Sequence, residues 1–134
     1  MQLVITGTSS GIGHGLAEEF LARGDQVWGM SRRAAVELAR NDRYRHLQLD
    51  LTDYEEVSRR VPDFLAGVSR FDLVILNAGV LGQIRWMSEV DVEEMKRGME
   101  INVWANKVLL DLLFEQGKDV RQVVGMSTKA SLRS

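Results

Sequence analysis

The chain has 134 residues, 45% of them apolar and 27% charged, with a formal net charge of −2. That suits a single domain over residues 1–134 with a core of its own, in the composition range of ordinary soluble proteins. Scattered basic residues among acids argue against nucleic acid as a partner, and no apolar run reaches the ~18 residues of a membrane span. There is no cysteine, so neither a disulfide framework nor thiolate chemistry is expected. His14 and His46 have no ligating neighbours at a useful spacing, and no metal site is expected. Gln2 and Thr6 interrupt the first apolar run and no basic segment precedes it, which points away from a signal peptide and toward a cytoplasmic protein.

In chain order, residues 2–6 (QLVIT) read as a short buried strand. Helical spacing follows, with Ile12, Leu16, Phe20 and Leu21 expected on one face and Gly24 closing the helix. Residues 27–31 (VWGMS) form a second strand, a short helix is expected near residues 34–40, and residues 47–50 form a third strand. Thr52 to Glu55 has the spacing of a capping box, Thr52 serving as the cap of the next helix. Pro62, the only proline, is expected to kink that helix or restart it as a second piece. Residues 71–77 (FDLVILN) hold four consecutive apolar residues, as a parallel strand covered on both faces requires. A long helix from about Val92 to Gln116 would bury Val92, Met95, Met99, Val103, Leu109, Leu110 and Leu113, with Gly117 ending it. Residues 120–127 (VRQVVGMS) make a fifth strand. Alternating strands and helices with crossovers of this length predict an α/β fold with a doubly wound parallel sheet.

Gly7, Gly11 and Gly13 lie between the first strand and the first helix, at the carboxyl edge of the sheet where such folds bind ligands. The helix start turns its free N–H groups toward that edge, and a missing Cβ lets a diphosphate approach the backbone. The plainer alternative is a glycine-rich turn that holds nothing. The spacing is T-G-x-x-x-G-x-G from Thr6 to Gly13, with Leu16 where a G-x-G-x-x-G motif would have its last glycine.

This spacing resembles the short-chain dehydrogenase/reductase family, and further similarities run along the whole chain. The resemblance implies an NAD(P)-binding Rossmann-like fold whose five strands are ordered 3-2-1-4-5. It places Gly7, Ser9, Ser10, Gly11, Ile12 and Gly13 in the cofactor-binding turn. Asp50-Leu51 matches the family position whose aspartate meets the adenine amino group, although an acid before Thr52 also suits a helix start. Asn77-Ala78-Gly79 is similar to the family's N-A-G beside the cofactor, where the alternative is a plain turn. Asn102 matches an asparagine that holds a water of the proton relay, where the alternative is an exposed polar residue.

The end of strand two speaks to the form of the cofactor. NAD enzymes generally carry an acid there for the ribose 2′-hydroxyl, whereas this chain has Ser31-Arg32-Arg33. Guanidinium groups make charge-assisted contacts to a 2′-phosphate, so NADP(H) is favoured over NAD(H), with Arg32 the main contact and Arg33 the second. Ser31 could add a hydroxyl donor, and Trp28 is expected close to the adenosine. Ser10 departs from the second basic residue that many NADP-dependent members have. The alternative for the pair is two solvated arginines.

The family's catalytic set adds a serine and a Y-x-x-x-K pair, in which the lysine makes a phenol of pKa ~10 usable near neutrality. Tyr44 is followed four residues on by Gln48 and Tyr54 by Ser58, so neither tyrosine forms the pair. In the family the pair follows the fifth strand, and the chain is accordingly expected to be the N-terminal portion of a protein roughly twice as long, inactive alone. Aligned on VVGMST, the serine position falls on Thr128, with Ser127 as its neighbour. The resemblance implies hydride transfer between nicotinamide and an alcohol or carbonyl substrate, in a homodimer or homotetramer. A non-catalytic NADP(H)-binding module, a sensor or scaffold, is the alternative. Residues 80–90 with Trp86 could border the substrate pocket.

Overall fold

The computed structural model describes residues 1–77, 92–93, 96 and 103–126. Its central sheet is built from β1 (Gln2–Thr6), β2 (Gln26–Ser31), β3 (Tyr44–Gln48), β5 (Leu73–Leu76) and β7 (Val123–Gly125), in the order β3-β2-β1-β5-β7. Every pairing is parallel, with Val4 beside Trp28 and Val74, and Gly29 beside His46. This is the expected 3-2-1-4-5 order. The fourth and fifth strands each carry a two-residue extension, β4 (Arg70–Phe71) and β6 (Asp119–Val120), which pair with each other. The fourth is interrupted at Asp72, whose carboxylate accepts the Gln2 amide at 2.9 Å in place of a main-chain carbonyl.

Alternation along β1 sends Leu3 and Ile5 to one face and Val4 to the other, which is why the sheet needs cover on both sides. Helix α1 (Gly11–Ala22) covers the first face and α2 (Tyr54–Phe64) with α3 (Ala105–Glu115) the second. On α1 the buried line is Gly13, Ala17 and Leu21. Ile12, expected on the core face, is 63% exposed, because the small residues let the helix lie close to the strands.

Four other local expectations are corrected. Residues 34–40 yield only a 3₁₀ turn at Leu38–Arg40, anchored by buried Ala35 and Leu38. The third strand spans Tyr44–Gln48 rather than residues 47–50, since its partner β2 stops at Ser31 and the last rung is Leu49 N–H to the Ser31 carbonyl, 3.0 Å. The cap of α2 is Asp53, which accepts the Glu56 amide at 3.2 Å, while the Thr52 hydroxyl donates to Asp50 at 2.7 Å. Helix α2 also runs unbroken through Pro62. The carbonyl that loses its partner there belongs to exposed Ser58, which water can serve.

On α3 the core face is Ala105, Leu109 and Leu113, and Gly117 follows its end with φ +72°. Val92 and Val103, expected inside, are 61% and 50% exposed, and Leu110 is half-buried. Met95 and Met99 lie outside the described residues. Trp28, expected close to the adenosine, is a core residue on the α2–α3 side, edge-on to Phe71 at 5.5 Å. Among the described residues β7 pairs only with β5, and its Val123 is 40% exposed. No helix of the described residues is long and apolar enough to cross a membrane.

Candidate functional site

The carboxyl ends of β1, β2 and β5 converge on the glycine turn. Gly7, at φ +76°, donates its N–H to the Met30 carbonyl at 2.7 Å and so ties the turn to β2. Asn77, just beyond β5, donates its amide N–H to the Thr6 hydroxyl at 2.9 Å and its side-chain N–H to the Gly7 carbonyl at 3.4 Å. Gly13 lies inside this knot: a β-carbon there would fall 2.1 Å from the Gly7 oxygen and 2.5 Å from Asn77 Nδ2. The absence of that carbon lets the first turn of α1 press against the end of β1.

Gly11 does the opposite job. It has φ +62°, and a β-carbon placed on it would meet nothing within 4 Å, so the helix start faces open space. Ser10 caps α1 in extended geometry without a side-chain hydrogen bond, and the first turn has no acid. The leading N–H groups of α1 therefore point unopposed at an opening suited to negative charge. Ser9, Ser10, Gly11, His14, Val36 and Glu37 are among the residues lining a groove of about 340 Å³ beside it, and the Glu37 carboxylate in that lining stands 3.6 Å from His14.

Past the end of β2, Arg32 and Arg33 are exposed while Ser31 is buried. The Ser31 hydroxyl donates to the Arg33 carbonyl at 2.5 Å. His46 Nε2 stands 3.0 Å from that same carbonyl, and Gln48 Nε2 donates to the Arg32 carbonyl at 3.1 Å. Asp50 accepts both the amide and the hydroxyl of Thr52, at 2.9 and 2.7 Å. Burial pushes its carboxyl up, but the Thr52 bonds and the Arg32 charge together hold it below its ordinary 3.8. Leu51 turns its side chain into the core.

The structure thus brings Gly7, Ser9, Ser10, Gly11, Ile12, Gly13 and Asn77 to one edge of the sheet, with Ser31, Arg32, Arg33 and Asp50 along the neighbouring strand ends. Ala78, Gly79, Asn102, Ser127, Thr128 and Trp86 lie outside the described residues.

Sequence reading missed Tyr44 and His46 as members of this region. The Tyr44 hydroxyl lies 2.7 Å from the fully buried Thr8 hydroxyl and 2.5 Å from His46 Nδ1. Gly29 makes room for it, since a β-carbon there would come 2.1 Å from Tyr44 Oη and 2.6 Å from Thr8 Oγ1. A lone glycine inside a strand beside aromatic and imidazole residues two apart on the next strand was the available signal.

Comparison with known proteins agrees with this fold. The family model described as short chain dehydrogenase matches residues 2–132. The chain belongs to the short-chain dehydrogenase family. It is 32% identical, over 95% of its length, to a 1-deoxy-11-beta-hydroxypentalenate dehydrogenase from Streptomyces arenae, spanning 49% of that protein. It is 33% identical, over 82% of its length, to an NADPH-dependent 3-dehydrocapnine reductase from Ornithobacterium rhinotracheale, spanning 41%. A 2-dehydro-3-deoxy-L-rhamnonate dehydrogenase named for NAD(+), from a Sphingomonas strain, is 27% identical over 85% of the chain and 49% of its own. The crystal structure of a short-chain dehydrogenase from Streptomyces avermitilis superposes with a TM-score of 0.79 at 32% identity, over 95% of this chain and 48% of that one. This short-chain dehydrogenase chain therefore spans about half the length of the curated relatives it matches.

Proposed function

We propose that the chain is the NADP(H)-binding part of an oxidoreductase that moves hydride between nicotinamide and an alcohol or carbonyl carbon. The carrying observation is the pairing of an open, unopposed helix start at Gly11 with two exposed arginines, and no acid, at the end of the next strand. These residues fit a dinucleotide bearing a 2′-phosphate. Main-chain N–H groups near Ser9, Ser10, Gly11 and Ile12 would hold the diphosphate, while Gly7 and Gly13 keep the turn close to β1. Arg32 and Arg33 would take the 2′-phosphate, with Ser31 and the β3 side chains fixing their backbone. Asp50 and Leu51 would border the adenine, and Asn77, Ala78 and Gly79 the floor beyond it.

When bound, the nicotinamide ring supplies or accepts the hydride. The work of the chain is to orient that ring. Asn102 would hold a water for proton movement and the Thr128 hydroxyl, or Ser127 beside it, would orient the substrate oxygen. NADPH dependence in the 3-dehydrocapnine reductase supports the phosphate reading, and the NAD(+) relative makes it a matter for measurement. Exposed Val103, Trp104 and Phe114 support a homodimer or homotetramer through the α3 side.

Calorimetric titration of the protein expressed from its complete reading frame tests the reading. NADPH should bind at least about tenfold tighter than NADH, and Arg32→Ala should remove most of the difference, the worth of one charge-assisted contact. Equal affinities would reject the phosphate contact, and no heat with either nucleotide would reject the nucleotide site.

A further inference from the structure

The hydrogen bonds running from the glycine turn to the arginine pair have a definite direction. His46 Nε2 lies 3.0 Å from the Arg33 oxygen and 3.2 Å from the Ser31 hydroxyl; that hydroxyl donates to the same carbonyl, so both neighbours turn lone pairs toward Nε2, which carries the proton. Nδ1 of the neutral ring is then an acceptor, and the Tyr44 hydroxyl at 2.5 Å must donate to it. The Tyr44 oxygen in turn accepts from Thr8 at 2.7 Å. Every donor in the line Thr8, Tyr44, His46, Arg33 carbonyl has an acceptor and no two lone pairs are opposed. Gln48, two residues beyond His46 on the same strand face, gives a parallel bond to the Arg32 carbonyl at 3.1 Å.

From this geometry we infer that Tyr44, His46 and Gln48 are positioning residues for recognition of a 2′-phosphate. From one face of β3 they clamp the successive carbonyls of Arg32 and Arg33 and hold the two guanidinium groups presented to the ligand. The inference rests on the reading above that these arginines meet such a phosphate. The physical reason is preorganisation. Arg32 and Arg33 have exposed, rotamer-rich side chains, and a contact made from a wandering backbone would lose affinity to the ordering of that backbone. The clamp reaches back through Tyr44 to Thr8, so the corner that would meet the 2′-phosphate and the turn that would meet the diphosphate share one rigid frame. Gly29 admits the Tyr44 hydroxyl into that frame, which ties an otherwise unexplained glycine to the same purpose.

The test uses the protein expressed from its complete reading frame, with NADPH and NADH titrated separately by calorimetry against the parent, His46→Ala, His46→Gln and Gln48→Ala. His46→Ala and Gln48→Ala should each weaken NADPH binding about 3- to 10-fold while leaving NADH within about twofold, as loss of one anchoring hydrogen bond implies. His46→Gln keeps a donor able to reach the Arg33 carbonyl and should recover most of the preference. In the parent, nitrogen-15 NMR of the histidines should show His46 protonated at Nε2, and melting curves establish that each variant is folded. A parent that prefers NADPH, with the preference intact in both alanine variants, overturns this inference alone, as does a His46 protonated at Nδ1. A parent that binds the two nucleotides equally overturns the phosphate reading and the role assigned here with it.

Discussion

A β-carbon on Gly13 would lie 2.1 Å from the carbonyl oxygen of Gly7, so no residue larger than glycine fits at position 13 against that carbonyl. Gly13 is needed for close packing and Gly11 for backbone conformation and open space. The two should fail differently. Gly13→Ala should lower stability by about 1–3 kcal/mol, the range for overpacking against groups that cannot yield. Gly11→Ala should lower it by about 1–2 kcal/mol through its left-handed backbone alone. Urea denaturation gives both values. The NMR signal of the Asn77 side-chain amide, which donates to the Gly7 carbonyl, should move in Gly13→Ala and stay in Gly11→Ala.

Gly29 and Tyr44 form a second pair whose substitutions should not add. Gly29→Ala pushes a methyl group onto the Tyr44 hydroxyl and should cost about 1–3 kcal/mol. In a Tyr44→Phe background the nearest clashing atom is gone, and the cost should shrink by roughly 0.5 kcal/mol or more. The ring carbon behind the hydroxyl, at 2.7 Å from the added methyl, keeps the relief partial. Additive effects in a double-mutant denaturation cycle would contradict the contact.

Acid should loosen this region in two stages. Burial holds His46 below its ordinary 6.5, only partly offset by the Arg33 carbonyl. The folded state therefore resists a proton that the unfolded chain accepts, and stability falls as pH drops from about 6.5 toward the lower folded value. Comparing urea midpoints at neutral and mildly acid pH should show this slope in the parent and a flatter one in His46→Gln. Asp72, held down by the Gln2 amide, and Asp50 contribute stability that is present above their ordinary 3.8 and lost as pH falls through their lower folded values.

Alkali acts through Tyr44. Burial raises its hydroxyl from 10.0 to about 12, against a smaller opposing effect of the Thr8 hydrogen bond. The unfolded chain ionises first, so stability should decline between these two values rather than below them. Phenolate absorbance should show a late step near pH 12 that Tyr44→Phe removes.

The core face of α3 gives a plain packing test. Leu109 is fully buried and Leu109→Ala should cost about 2–5 kcal/mol. Glu115, exposed at the end of the same helix, should tolerate alanine within about 0.5 kcal/mol. Thermal unfolding of the two variants distinguishes these outcomes.

Much of the frame was legible because it depends on neighbours in the chain. Apolar runs, Gly24 and Gly117 at helix ends and the spacing of Gly7, Gly11 and Gly13 carry local information, and crossovers of helical length make the strands parallel; their order 3-2-1-4-5 came from the family resemblance. The arginine pair after β2 was legible for the same reason. Helix faces were less so: spacing alone put Ile12 and Val103 inside, yet which stripe is buried depends on how closely a helix can approach its sheet. The capping box at Thr52 was the more common local choice, and a competing bond to Asp50 displaced it by one residue.

The line from Thr8 through Tyr44 and His46 to Arg33 could come only from the tertiary structure. Thr8 and Tyr44 are 36 residues apart, and they meet because β3 pairs with β2 in one register, with Gly29 leaving a gap under the ring. Shifting that register by one residue would turn both rings to the opposite face of the sheet. Composition and motif determined what kind of site this edge could be; the pairing of strands decided which side chains hold it still.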